Sequence, residues 1–191
     1  DAQYAKLGYC IPKSFTISGT PPEEIIIDNN TGLQWQGSLR KNDTYYLYNW
    51  DESINICNNL NYGGYDDWRL PRVDELETII DYGKYNPAID QKYFYDVAIG
   101  VIDDFWTSSL YAGDSGTVWH IDLRNGDHQY SNYYYISKSV LCVRGDSLPK
   151  HTFVEELVKG EAVVSDAISN LQWQKTLLNY HGCTGGNQKG E

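Results

Sequence analysis

Hydrolysis needs a nucleophile, a base and an acid held in register, and this chain offers one such set on paper: Ser108, His120 and Asp122. The set is weak. Ser108 sits in Phe105-Trp106-Thr107-Ser108-Ser109, without the glycine-flanked strand-to-helix turn that presents a nucleophilic serine. His120 and Asp122 fall on one strand face only because they are two residues apart. Glycoside cleavage needs two carboxylates, and the 26 Asp and Glu offer many pairs without singling one out. Asp103, Asp104 and Asp114 carry the oxygen ligands that calcium takes, in stretches that read as loops, but they lack EF-hand spacing. The reading is of a chain that is not an enzyme and has no resident cofactor, with calcium as the one candidate ion.

Recognition chemistry is better represented. From Asp122 to Ser139, polar side chains alternate with tyrosines in a way that matches the composition of antibody paratopes: rigid amphipathic rings beside adaptable hydrogen-bonding groups. The candidate ligand-binding residues are Tyr111, His120, Asp122, Asn125, Asp127, His128, Tyr130, Asn132 and Tyr133. The competing reading is an ordinary solvated strand face. Four tryptophans, Trp35, Trp68, Trp106 and Trp119, read as core, because each buries a large apolar area. Arg69 and Arg144 stand among apolar residues and read as structural hydrogen-bond forks.

These side chains need elements to hold them. Ile25-Ile26-Ile27 is a β-branched run and predicts a strand, followed by a turn at 28–32 and a returning strand over 33–36. Asn49-Trp50-Asp51-Glu52 has the form of a capping box, and Trp50, Ile54, Cys57 and Leu60 follow at helical spacing up to Gly63-Gly64. A second helix is predicted from Pro71 toward Gly83, with Val73, Leu76, Ile79 and Ile80 as its apolar stripe. A long connection over 84–104 is expected to contain a helical turn from Ile89 to Tyr93. Strands are then predicted over 105–108, 118–123, 129–136 and 140–144, with Asn125-Gly126 as a tight hairpin turn. The expected architecture is α+β, two early helices and a later antiparallel sheet.

Residues 1–22 read as an irregular N-terminal extension, 23–146 as the domain proper, and 147–191 as a linker with the start of a second copy. That last expectation rests on an internal echo. Leu33-Gln34-Trp35-Gln36 returns unchanged as Leu171-Gln172-Trp173-Gln174, each tetrapeptide preceded by an aspartate five residues upstream, Asp28 or Asp166. The alternative is one extra hairpin that completes the first domain's sheet.

Bulk properties narrow the function classes. A net charge of −11 opposes nucleic acid and anionic lipid at long range, and no run of Lys or Arg offsets it. No stretch approaches the roughly 20 apolar residues that span a bilayer. The chain has no Met, so Asp1 reads as the start of a processed or trimmed fragment. The four cysteines, Cys10, Cys57, Cys142 and Cys183, have neither zinc-knuckle nor redox spacing; an even count in such a chain favours disulfides and export. Of three possible pairings, Cys57–Cys142 with Cys10–Cys183 is the favoured one: the first ties a helix to the last core strand and the second clips the terminal extensions together.

Taken together, the Thr31-Gly32-Leu33-Gln34-Trp35 hairpin, the Trp50 and Cys57 helix, Asp67-Trp68-Arg69-Leu70-Pro71 with Glu75-Leu76, Phe105-Trp106-Thr107-Ser108-Ser109, the Trp119 strand and Cys142-Val143-Arg144 resemble the C-terminal domain of Legionella collagen-like protein. The resemblance covers roughly residues 24–145 and restarts near 163. It implies a C-type-lectin-like fold, two helices packed on a twisted antiparallel sheet with long loops, in a secreted or surface-attached bacterial protein. It also implies a glycan or surface-protein ligand bound at the late hairpin, and a disulfide from first helix to last strand. The Glu-Pro-Asn, Gln-Pro-Asp and Trp-Asn-Asp signatures of calcium-dependent sugar binding are absent. The competing function is a structural module of a tandem-repeat surface protein with no ligand of its own.

Overall fold

The computed structural model describes residues 12–38, 47–95 and 103–175. Cys10 and Cys183 lie outside them. The chain divides into two compact units, Asp1–Leu148 and Pro149–Glu191.

In the first unit, β1 (Phe15–Ser18), β2 (Ile25–Asp28), β3 (Gln34–Gln36) and β7 (Val143–Arg144) form a sheet in the order β1-β2-β3-β7. A separate sheet, β4-β5-β6, comprises β4 (Asp104–Leu110), β5 (Thr117–Asp122) and β6 (Asp127–Asn132). Only two helices occur among the described residues, α1 (Trp50–Asn58) and α2 (Val73–Glu77). The described residues of the second unit form a sheet, β10-β9-β8, built from β8 (Phe153–Val158), β9 (Glu161–Asp166) and β10 (Gln172–Gln174).

This architecture corrects the expected fold. The described residues are mostly β, with three small antiparallel sheets, and are not an α+β C-type-lectin-like arrangement of two helices on one sheet. The physical reason lies in the partitioning of strands: the last strand, β7, pairs with β3 near the start of the chain, so the late hairpin strands are left in a sheet of their own. The second helix is also far shorter than its apolar stripe implied. Leu76 lies inside it, but Ile79 and Ile80 reach the core from turns beyond its end.

Several local expectations changed in detail. The lead-in contains β1, which pairs with β2 in the register Phe15↔Asp28 to Ser18↔Ile25. α1 is capped as read, with Asn49 Oδ1 accepting from the Glu52 N–H at 2.9 Å and Glu52 Oε2 accepting from the Asn49 N–H at 3.0 Å. It ends at Asn59 rather than at the glycines, with the Asn59 side chain donating to the Asn55 carbonyl. The expected turn near Ile89 forms at Asp90, whose carbonyl accepts from the Tyr93 and Phe94 N–H groups, both at 3.0 Å. The β5–β6 connection spans four residues, 123–126, and only Gly126 takes a positive φ (81°). A Cβ there would come within 2.6 Å of Ile80 Cγ2, so this turn requires glycine on both conformational and steric grounds.

Two buried clusters fill the first unit. One joins Ile26, Leu33 and Trp35 to Leu76, Ile79, Ile80, Phe105, Ile121 and Val143. The other surrounds Cys57, Cys142, Trp68, Trp106 and Val118. The Cys57–Cys142 disulfide, with Cα atoms 5.5 Å apart, ties α1 to the chain entering β7.

Candidate functional site

The late hairpin presents two faces, and alternation along its strands decides which residues a ligand meets. β5 and β6 pair in the register Thr117↔Asn132, Trp119↔Tyr130 and Ile121↔His128, so Tyr130, His128 and Asn132 lie on the Trp119 face. On that face Tyr111 stacks on Tyr130, with ring centroids 4.1 Å apart and planes 4° from parallel. Trp119 meets both rings edge-on, at 5.3 Å from Tyr111 and 5.7 Å from Tyr130. Tyr111 reaches this position by lying against Gly113, where a Cβ would sit 2.5 Å from the Tyr111 ring. Tyr130 is 55% exposed, and His128 and Asn132 are exposed beside it. Trp119 is half-buried rather than a core residue as expected, while Trp35, Trp68 and Trp106 are buried.

A second group of rings follows the hairpin. Trp50 packs on Tyr133 at 4.9 Å, Tyr133 on Tyr134 at 4.3 Å, and Tyr135 continues the row. The Trp50 indole N–H donates to the Thr107 carbonyl, which fixes the base of this row to β4. Tyr133 is half-buried and Tyr134 and Tyr135 are exposed. Trp50 and Trp119 are the residues that sequence reasoning missed. Helical spacing marked Trp50, and a large apolar area marked Trp119, as core residues, and only the register and the helix placement turn them toward the tyrosines.

His120 and Asp122 belong to the opposite role. His120 is 1% exposed; its Nε2 lies 2.8 Å from Ser131 Oγ, and its Nδ1 faces Asp104 Oδ1 at 3.2 Å. Asp104 also accepts from Lys138 Nζ at 3.2 Å. With His120 and Lys138 facing it, its carboxyl is held below the ordinary range, at about 2. Asp122 is 2% exposed and organises the turn, accepting from the Arg124 backbone N–H at 2.8 Å and from its guanidinium. Asn125 and Asp127 hydrogen-bond each other across the same turn. Of the nine candidates, the structure therefore gathers Tyr111, His128, Tyr130 and Asn132 on one face, puts Tyr133 in the adjacent ring row, and assigns His120 and Asp122 to the interior.

Ser108, His120 and Asp122 do not form a triad. The Ser108 hydroxyl donates to the Pro71 carbonyl, and His120 meets Ser131 and Asp104 instead. Asp104 lies in β4, not in a loop; Asp103 lies 3.5 Å from Arg124, and Asp114 accepts from Thr117 Oγ1. Among the described residues, no group of three or more His, Cys, Asp or Glu is placed to hold a metal.

The two arginines act as forks. Arg69 donates to both oxygens of the fully buried Glu75, at 2.7 and 2.8 Å, and Glu75 also accepts from the Arg72 N–H. Burial pushes the Glu75 carboxyl up, but the Arg69 fork and the Arg72 N–H overcome that and hold it below its usual value. Arg144 grips Asp67 at 2.6 and 3.1 Å, donates to Gln34 Oε1 at 2.5 Å and lies 3.6 Å above the Tyr65 ring.

Comparison with protein families places these landmarks together: the family model of the Lcl C-terminal domain matches residues 24–144, and the chain belongs to that family. No curated protein matches the chain. Membership is compatible with a surface or secreted bacterial module. No helix among the described residues is long and apolar enough to cross a membrane.

Proposed function

We propose that this member of the Lcl C-terminal domain family is a secreted or cell-surface recognition module that serves adhesion by binding a glycan on the Tyr111–Trp119–Tyr130 face. The observation that carries this reading is the stacked pair of half-buried Tyr111 and exposed Tyr130, braced edge-on by Trp119. Rings already held by one another lose little conformational entropy when a ligand covers them. The C–H face of a sugar packs on such rings, while His128 and Asn132 at the border supply hydrogen bonds to its hydroxyls. The Cys57–Cys142 bridge fits an oxidising, extracellular setting. The acidic chain is read as having no nucleic-acid partner.

The test is a glycan array probed with the intact chain, with and without chelator. Saturable binding to a defined glycan class supports the reading, and the chelator arm separates direct stacking from binding bridged by calcium. An array without signal from a fully folded chain overturns the glycan reading and returns the domain to a protein ligand or a purely structural role.

A further inference from the structure

The second unit repeats the start of the first at one constant offset. Phe15 corresponds to Phe153, Asp28 to Asp166 and Trp35 to Trp173. The strand registers agree pair by pair: Phe15↔Asp28 with Phe153↔Asp166, and Ile26↔Trp35 with Val164↔Trp173. The turns agree atom by atom. The Asp28 N–H donates to Leu33 O at 2.8 Å, as Asp166 does to Leu171 O at 2.9 Å. Thr31 Oγ1 donates to Asp28 Oδ2, as Ser169 Oγ does to Asp166 Oδ2. The Gly37 N–H donates to Glu24 O, as Lys175 does to Ala162 O.

The copies differ in what covers them. In the first, β3 pairs on its far side with β7, in the register Gln34↔Arg144 and Trp35↔Val143, and the Gln36 N–H donates to Cys142 O at 3.1 Å. Trp35 is completely buried as a result of that and the core beneath it. In the second, no described strand pairs with the far side of β10. Trp173 is 44% exposed and Phe153 is 61% exposed. Yet the three residues that meet β7 in the first copy, Gln34, Trp35 and Gln36, recur unchanged as Gln172, Trp173 and Gln174. The Gln172 amide nitrogen donates to Glu156 and Ser165. Its oxygen, the counterpart of the Gln34 atom that receives Arg144, accepts nothing among the described residues.

We infer that the β10 edge is a docking edge for one extended strand of Val-Arg chemistry, the closing strand of a second domain of this family. An exposed strand edge beside an apolar face is a template for strand addition, and the first copy states which strand fits and in what register. The chain's own β7 is not that strand. It is held on its other side by Arg69, whose N–H and carbonyl both bond Val143, at 2.8 and 2.9 Å.

The probe is a synthetic peptide with the sequence of residues 139–146, Ser replacing Cys142, titrated into the isotopically labelled full chain and followed by NMR. The expected result is saturable shifts of the Trp173 indole and of the Gln172, Trp173 and Gln174 amides, with Trp35 unmoved. Replacing the peptide's Arg with Ala weakens binding about tenfold, the loss of one charge-assisted hydrogen bond. Gln174→Pro in the chain removes the one N–H that corresponds to Gln36 and abolishes binding, while the remaining amide spectrum reports that the sheet is intact. Equal shifts with a scrambled peptide, shifts confined to the first unit, or no shift at millimolar peptide would each overturn the inference. The outcome is independent of whether the Tyr111–Tyr130 face binds a glycan.

Discussion

At the scale of single residues, position relative to the core separates side chains that look equivalent in the sequence. Tyr130 and His120 both stand on the late hairpin, but one is a solvent-facing ring and the other is enclosed between Trp106, Asp104 and Ser131. Alternation reveals which residues share a face, not which face is covered, so His120 and Asp122 entered the candidate site while Trp119 was assigned to the core. Glu75 was legible only as part of the Glu75-Leu76 landmark. Its burial under Arg69 depends on where the chain brings the helix. Glu75→Gln leaves Arg69 half-buried without its carboxylate and is expected to destabilise the domain by about 3 kcal/mol, measured by urea unfolding. Asp104 gives a pH signature. Its folded value, about 2, lies below the ordinary 3.8, so its contribution is complete above pH 3.8 and is lost as pH falls toward 2. Asp104→Asn should therefore flatten the stability profile in that window. An unchanged slope would mean that the His120 and Lys138 contacts are not made in solution.

At the scale of elements, local chemistry was readable wherever it acts within a few residues. The Asn49–Glu52 capping box formed as read, and Asn49→Ala is expected to cost about 1 kcal/mol in thermal or chemical unfolding. The Ile25–Ile27 strand and its turn also formed. What could not be read were features set by distant partners. Phe15–Ser18 is too short and too weakly patterned to identify alone, and it becomes a strand because β2 offers it an edge. Val143–Arg144 is only two residues long and is defined by β3 on one side and Arg69 on the other. The second helix stops early because Thr78 and Ile80 hydrogen-bond back to Glu75 and Glu77, three residues earlier, tightening the chain into turns that carry Ile79 and Ile80 inward.

At the scale of the molecule, the fold stands, among the described residues, on buried indoles and the Cys57–Cys142 bond. Trp35 and Trp106 are among the largest fully buried side chains, and Cys57–Cys142 closes a loop with a sequence separation of 85 residues. Such a loop restricts the unfolded chain strongly, so the double replacement Cys57→Ala with Cys142→Ala is expected to cost about 2–5 kcal/mol in reversible unfolding. The family landmarks were visible in the sequence because they are these structural residues. The lectin-like architecture attached to them was not correct, because the same landmarks also satisfy two separate small sheets, β1-β2-β3-β7 and β4-β5-β6. In the proposed function, fold and recognition are carried by different residues: the buried set holds the hairpin, and the half-buried Tyr111 and exposed Tyr130, braced by Trp119, supply the surface.

That division is tested most directly by measuring glycan binding of the intact chain against the double variant Tyr111→Ala with Tyr130→Ala, with unfolding curves recorded on both. The account predicts loss of binding by at least about tenfold, as expected for removing two central aromatic anchors, with the fold retained. Undiminished affinity in the folded double variant would contradict it and place the ligand elsewhere on the domain.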